Sequence, residues 1–328
     1  MKKKIGYALL ILVVLSLSTG FYFIRKFNNA FFKEKSFYLT YEYEPKPIHF
    51  EWAANTIGSH AEEEPIAAMV FPVKIDGLAH QFHMQFDTGS PHSFLYENDI
   101  KSLQALGLKL KEVKKGEERF VEHIAFRLGN NHIKASMVKV LANYGNTFDE
   151  NDTISKIGIG TIGNDFIANR ITAIDFKAQK LTLFNQRPDW MYNQSGFKPF
   201  DFTGRRIMLP VQIENNDYVL FYDSGCSAFG LITIKSRFDA YSDPNAKTIA
   251  YDAKSWSNSI PVVSKTSSQP MTMGNTTLSL RRVSFIDMYP AMQPLATPFT
   301  KIDGWLGNQP FIERTLILDT KKEEFLVY

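Results

Sequence analysis

Gln85-Phe86-Asp87-Thr88-Gly89-Ser90 decides how this chain is read, because Tyr222-Asp223-Ser224-Gly225-Cys226-Ser227 repeats it. In each copy an apolar strand runs into Asp-Thr/Ser-Gly and leaves through a second apolar run. That run is Ser93-Phe94-Leu95-Tyr96 in the first copy and Ala228-Phe229-Gly230-Leu231-Ile232 in the second. A lone triplet of this kind is a common turn. Two in matched settings point to one shared site holding two carboxylates. Upstream of Asp87, the residues Phe82, Met84 and Phe86 alternate with His83 and Gln85, which is strand period, and Asp76-Gly77 offers a hairpin turn before them. Upstream of Asp223 come Val211 and Ile213, the turn-like Glu214 to Asp217, and the strand Tyr218 to Tyr222. Both triplets therefore end a hairpin strand.

Working outward, the repeat extends through both halves. Met271 to Leu278, with Gly274-Asn275, answers Phe126 to Ile133. Trp305-Leu306-Gly307-Asn308 to Ile312 answers Ile162-Gly163-Asn164 to Ile167, and the strand pair Leu316 to Asp319 with Phe325 to Tyr328 answers Ile171 to Phe184. From Gly163 to Asp175 and from Gly307 to Asp319 the spacing is the same 12 positions. A unit of about 140 residues is too long for a solenoid repeat. It reads as two homologous lobes, joined across Asn185 to Arg205, where Pro188, Gly196 and Pro199 mark a linker. The expected boundaries are an anchor over 1–24, a stalk or added strand over 25–60, a first lobe over 61–190 and a second over 191–328.

Length and composition fit this division. The chain has 328 residues, 44% of them hydrophobic, enough for two cores. Its net charge of +3 is spread without a basic stripe, so no nucleic-acid partner is expected. Cys226 is the single cysteine, which excludes an intramolecular disulfide and a cysteine-cluster metal site.

Residues 5–24 carry no charge, with Lys2-Lys3-Lys4 before them and Arg25-Lys26 after. At about 1.5 Å per residue the run matches a hydrocarbon core of about 30 Å. An uncleaved transmembrane helix is favoured over a signal peptide, whose apolar part is shorter. The basic flanks orient the N-terminus inward and the bulk of the chain outside the cytoplasm, periplasmic or extracellular. Glu62-Glu63-Glu64-Pro65 reads as a solvated boundary before the strand Ile66 to Ile75. Asp99 to Lys111 reads as a short helix ending near Gly107 with a strand after it, Lys111 to Glu118 as a charged loop, and Ile124 to Leu141 as a hairpin turning at Gly129-Asn130.

Taken together, Phe86-Asp87-Thr88-Gly89-Ser90 with Phe94, the paired Asp223-Ser224-Gly225, and the apolar-Gly elements Ile162-Gly163 and Leu306-Gly307 resemble the two lobes of pepsin-like aspartic proteases. The resemblance covers about residues 66 to 328. It implies an all-β, mostly antiparallel, bilobal fold with a cleft between the lobes, a protein or peptide substrate, a monomer, and Asp87 and Asp223 as the catalytic pair. Cys226 stands where that family usually has Ser or Thr, and no flap tyrosine is recognisable in the first lobe. A catalytically silent peptide-binding module, or a tandem fusion of retropepsin-like units, are the alternatives.

The chemistry follows from the residues. Two carboxylates a few Å apart cannot both ionise cheaply, so the pair shares a proton. One takes a proton from a water between them while its protonated partner polarises the scissile carbonyl. No metal or other cofactor is needed. Gly89 and Gly225 let backbone amides approach the carboxylates, and Thr88 and Ser224 can exchange hydrogen bonds between lobes. Ser90 is expected to hold the outer oxygen of Asp87, whereas the Cys226 thiol is a weak donor for Asp223, so Asp223 is expected to carry the proton. His80 and His83 lie i, i+3 on a strand and face opposite sides, which argues against a metal site. Gly158 to Gly163 has the G-x-G-x-x-G spacing without the helix that a dinucleotide site needs.

Overall fold

Alternation places Met69, Phe71 and Val73 of one strand and Phe82, Met84 and Phe86 of the next on a common inner face, and all six are buried. The structure is a computed structural model and describes residues 39–41, 46–57, 62–149, 151–256, 258–287 and 302–328. The apolar run over 5–24 and most of the expected stalk lie outside the described residues. No helix among the described residues is long and apolar enough to cross a membrane.

The protein is mainly β, arranged in three sheets. The first half contains β1 (Leu39–Tyr41), β2 (Ile48–His49), β3 (Glu51–Ile57), β4 (Glu62–Lys74), β5 (Gln81–Phe86), β6 (Phe94–Tyr96) and the helix Glu97–Ala105. It continues with β7 (Lys111–Lys115), β8 (Glu118–Leu128), β9 (Asn131–Leu141), β10 (Lys156–Ile162), β11 (Ile171–Asp175) and β12 (Lys180–Phe184). The second half contains β13 (Lys198–Pro199), β14 (Met208–Ile213), β15 (Asn216–Tyr222), β16 (Leu231–Thr233) and the helix Lys235–Tyr241. After it come β17 (Ile249–Ser255), β18 (Asn258–Met273), β19 (Thr276–Ile286), β20 (Gly304–Leu306), β21 (Thr315–Asp319) and β22 (Glu324–Val327).

In the first half β4, β5, β10, β6, β9 and β8 pair in that order, and β8 returns to β4 at Val73↔Leu128, closing a six-stranded mixed barrel. Two of its pairings are parallel, β5 with β10 and β6 with β9. The second half repeats every step. There β14, β15, β20, β16, β19 and β18 follow one another, the same two pairings are parallel, and β18 returns to β14 at Ile213↔Met271. The internal repeat in the sequence is thus a repeat of topology.

A third sheet joins the halves. β11 and β21 pair antiparallel through Ile171↔Asp319, Ala173↔Ile317 and Asp175↔Thr315, with β12 and β2 outside on one flank and β22 and β13 on the other. Thr172, Ile174, Leu316, Ile317 and Leu318 are all buried, as expected for strands covered on both faces. One apolar cluster runs from Phe71, Phe86 and Phe166 of the first half to Tyr222 and Phe311 of the second. Each fully buried aromatic side chain there contributes about 2–3 kcal/mol of transfer free energy.

Several expectations change. Lys111 to Glu118 is not a loop: Val113, half-buried between the exposed Glu112 and Lys114, lies on β7, which pairs with β8 as a hairpin. Residues 48–57, within the expected stalk or strand, enter the sheets as β2 and β3. β4 begins at Glu62 within the expected solvated boundary, and Glu64 is 3% exposed. Its carboxylate meets Arg282 of β19 at 2.8 Å and accepts from Gln309 Nε2 at 3.3 Å. β3 and the first half of β4 thus form a hairpin that has no counterpart before β14 and reaches across to the second half.

Candidate active site

Each Asp-Thr/Ser-Gly triplet begins where its strand leaves the ladder. Asp87 N–H donates to Ile162 C=O at 3.0 Å and Asp223 N–H to Leu306 C=O at 2.9 Å, so both aspartates are pinned by the equivalent strand of their own barrel. Both triplets then turn tightly. Gly89 N–H donates to Asp87 Oδ1 at 2.8 Å and Gly225 N–H to Asp223 Oδ1 at 2.9 Å.

The two turns are bolted together. Ser224 N–H donates to Thr88 Oγ1 at 2.8 Å, and Thr88 N–H donates to Ser224 Oγ at 2.9 Å. Each hydroxyl passes its own proton to the opposite half, Thr88 Oγ1 to Tyr222 C=O at 3.0 Å and Ser224 Oγ to Phe86 C=O at 2.8 Å. Both residues are fully buried, so every bond in this reciprocal set is shielded from water. The expected exchange between Thr88 and Ser224 is present: each hydroxyl accepts the other residue's amide and donates to a backbone carbonyl of the opposite half.

The glycines face the opposite carboxylates. A Cβ at Gly89 would lie 2.6 Å from the Asp223 carboxyl, and one at Gly225 would lie 2.6 Å from Asp87 Oδ1. Real Cβ atoms do not tolerate such contacts, so each triplet leaves the space that the other half's aspartate fills. Burial, then the charge of Asp223, then a hydrogen bond to it, hold the Asp87 carboxyl well above the usual carboxylate range.

One expectation about the neighbours is corrected here. Ser90 Oγ does not hold Asp87; it donates to His92 C=O at 2.6 Å, closing its own short loop. The Cys226 thiol does reach Asp223, donating to Oδ2 at 3.3 Å, and burial with the nearby Asp223 charge pushes its pKa up, so it stays a protonated donor. Asp223 thus has a side-chain donor, and it is the Asp87 carboxyl that burial drives toward its neutral form.

Asn164 and Asn308 are positioning residues that the sequence marked only as parts of the Gly-Asn repeat. Both are fully buried. Asn164 Nδ2 donates to Thr88 C=O at 2.6 Å and Arg205 C=O at 2.7 Å. Asn308 Nδ2 donates to Ser227 Oγ at 2.8 Å and Ser224 C=O at 3.5 Å, while its Oδ1 accepts from the Tyr222 hydroxyl at 2.7 Å. The available signal was the matched Gly-Asn pair in each half, its glycine 12 positions before Asp175 or Asp319.

The carboxylates open onto a cleft of about 490 Å³ between the halves. Its second-half wall is apolar, with Phe229, Ile232, Val262 and Trp305, and its first-half wall is small, with Ala53, Ala67 and Ala68 of the added hairpin. Tyr96 and Tyr144 stand at the first-half side, edge to face at 4.7 Å. Behind them, burial raises Asp99 to about 7, with Asn146 N–H donating to it at 3.2 Å.

The remaining candidates lie elsewhere. His83 is buried against Glu51 at 3.8 Å, with burial lowering its pKa. His92 Nδ1 is 3.4 Å from the Arg205 guanidinium. Among the described residues no cluster of three or more His, Cys, Asp or Glu side chains could hold a metal. Gly158 to Ile162 is part of β10, a strand of the first barrel. Asp175 caps its turn by accepting from Ala178 N–H at 2.9 Å, and Asp319 accepts from Arg187 at 2.8 Å, both structural roles. No protein-family model and no curated protein matches the chain.

Proposed function

We propose that the chain is an aspartic endopeptidase with the bilobal pepsin-like fold, anchored to a membrane by residues 5–24 with its cleft outside the cytoplasm. The observation that carries it is the reciprocal fit of the two triplets, in which the glycine of each makes room for the aspartate of the other. A pair of turns serving only structure has no need to bring two carboxylates into contact in a partly desolvated cleft, where one must hold a proton.

In the mechanism Asp223 is the base. Held by Gly225 N–H and the Cys226 thiol, its carboxylate takes a proton from a water bound between the pair. Asp87, carrying the shared proton, donates it to the scissile carbonyl oxygen as the water oxygen bonds to carbon. The tetrahedral diol then collapses: the proton on Asp223 passes to the leaving amine as the C–N bond breaks, and a diol proton returns to Asp87. The bolted Thr88–Ser224 set holds the carboxylates at fixed separation, so little reorganisation is required during reaction. Both aspartates come from one chain, so a monomer suffices. The cleft accepts an extended peptide, and no cofactor enters any step.

The test is full-length protein in detergent with internally quenched decapeptides across about pH 3 to 8, with and without a statine-containing peptide that mimics the tetrahedral diol. Cleavage blocked by the statine peptide supports the proposal. A folded protein that cleaves nothing at any pH contradicts it and favours a silent peptide-binding module. Retention in the membrane after carbonate extraction supports the anchor, and a soluble form whose N-terminus lies near Gly20 contradicts it.

A further inference from the structure

In the first half the hairpin β7–β8 turns at Lys115-Gly116-Glu117, and none of its residues lines the cleft. The equivalent hairpin of the second half, β17–β18, is longer and does line it, through Ala253, Lys254, Trp256, Ile260 and Val262. Ser255 pairs with Asn258, so Trp256 sits in the turn at the tip of the hairpin, and its φ is 54°. Such turns favour Gly, Asn or Asp, because a larger side chain is strained in the left-handed region. A bulky residue persists there when its surroundings over-determine it. Its surroundings lie across the cleft: the indole meets Phe94 at 5.7 Å and Tyr144 at 5.9 Å, both edge to face and both in the first half. That shelf is itself fixed, since Tyr144 packs on Tyr96, whose hydroxyl is 2.8 Å from Thr161 Oγ1 on β10.

We infer that Trp256 is a substrate-covering, specificity-determining residue, and that β17–β18 is a lid supplied by the second half, closing on the Phe94–Tyr144 shelf over an extended peptide. The inference rests on the peptide-cleaving reading above and adds the residue that selects the substrate. Beneath the lid, Phe229, Ile232 and Trp305 are apolar, so a peptide with a large apolar side chain gains most from closure. It also explains why no flap aromatic is recognisable in the first half: the covering aromatic comes from the other one.

The experiment compares full-length wild type with Trp256→Asn and Trp256→Phe. Asparagine suits the turn's backbone and relieves its strain while giving up the ring contacts, and the melting temperature of each variant is measured alongside, so that a loss in a folded variant is not one of folding. For quenched peptides with Phe or Leu at the cleaved bond, Trp256→Asn lowers kcat/KM by about tenfold or more and weakens binding of the statine peptide by a similar factor, while Trp256→Phe recovers most of both. For peptides with only Gly and Ala around the bond the loss is smaller. Wild-type kcat/KM and statine affinity in Trp256→Asn overturn the lid and leave the catalytic reading standing. If wild type cleaves nothing yet binds the statine peptide about tenfold tighter than Trp256→Asn, the catalytic reading falls and the lid stands. A wild type that neither cleaves nor binds overturns both.

Discussion

Thr88→Val keeps the shape of the side chain and removes its oxygen, and the surroundings of that oxygen set the cost. Thr88 Oγ1 accepts Ser224 N–H at 2.8 Å and donates to Tyr222 C=O at 3.0 Å, at a residue with 0% exposure. Valine leaves the Ser224 amide without its acceptor where water does not reach, a penalty of about 1–3 kcal/mol, and removes a donor bond worth about 1 kcal/mol. The total is about 2–4 kcal/mol, all of it from contacts between the halves. Since 1 kcal/mol moves the melting temperature of a protein this large by about 2–4 °C, the expected fall is about 5–15 °C by scanning calorimetry. The activity falls as well, because the carboxylates lose their fixed separation. Thr88→Ser keeps the oxygen and stays within about 1 kcal/mol of wild type. A Thr88→Val protein that melts within about 2 °C of wild type refutes the argument that this reciprocal set joins the halves.

Three further outcomes follow from the same structure. Glu64→Ala strands the Arg282 guanidinium and costs about 3–5 kcal/mol in urea unfolding, whereas Glu64→Leu with Arg282→Met recovers most of that loss. Asp99, raised to about 7 by burial, binds more protons folded than unfolded, so its contribution to stability falls as pH rises from about 4 through 7. Asp99→Asn therefore stabilises the protein at pH 8 and not at pH 4, as unfolding at the two pH values will show. Cys226→Thr retains peptide cleavage and moves the acid limb of the pH–rate profile downward, since a hydroxyl is a better donor to Asp223 than the thiol; complete loss of turnover in a folded variant would contradict this.

The repeat was legible because tight turns between buried strands tolerate few residue types, so Asp-Thr/Ser-Gly and Gly-Asn mark equivalent points in both halves. Individual strands of the barrels were visible, such as Phe82 to Phe86, whose alternation records one buried face, but their closure into barrels was not. What escaped notice is non-local. Glu64 in a run of three glutamates looks solvated, and only its partner Arg282, over two hundred positions away, makes its burial possible. Lys111 to Lys115 is charged because it is an edge strand, which the pattern of a loop imitates. The direction of a single hydroxyl, Ser90 toward His92 C=O rather than Asp87, depends on the local path of the chain and has no composition signature. Trp256 lay in an unremarked polar stretch, and its meaning comes from the positive φ and from rings contributed by the other half.

The central claim is that Asp87 and Asp223 act as one unit, and the most direct measurement is peptide turnover by Asp87→Asn, Asp223→Asn and the double variant. Each conserves shape while preventing the pair from holding one shared proton. Each single variant is expected to lose turnover nearly as completely as the double, because residues acting together are non-additive. Folding persists, and Asp87→Asn is more stable than wild type at neutral pH, since it removes a buried carboxyl whose charged form is disfavoured there. Most of the wild-type turnover remaining in either single variant would contradict the account and leave two aspartates that meet without acting as a pair.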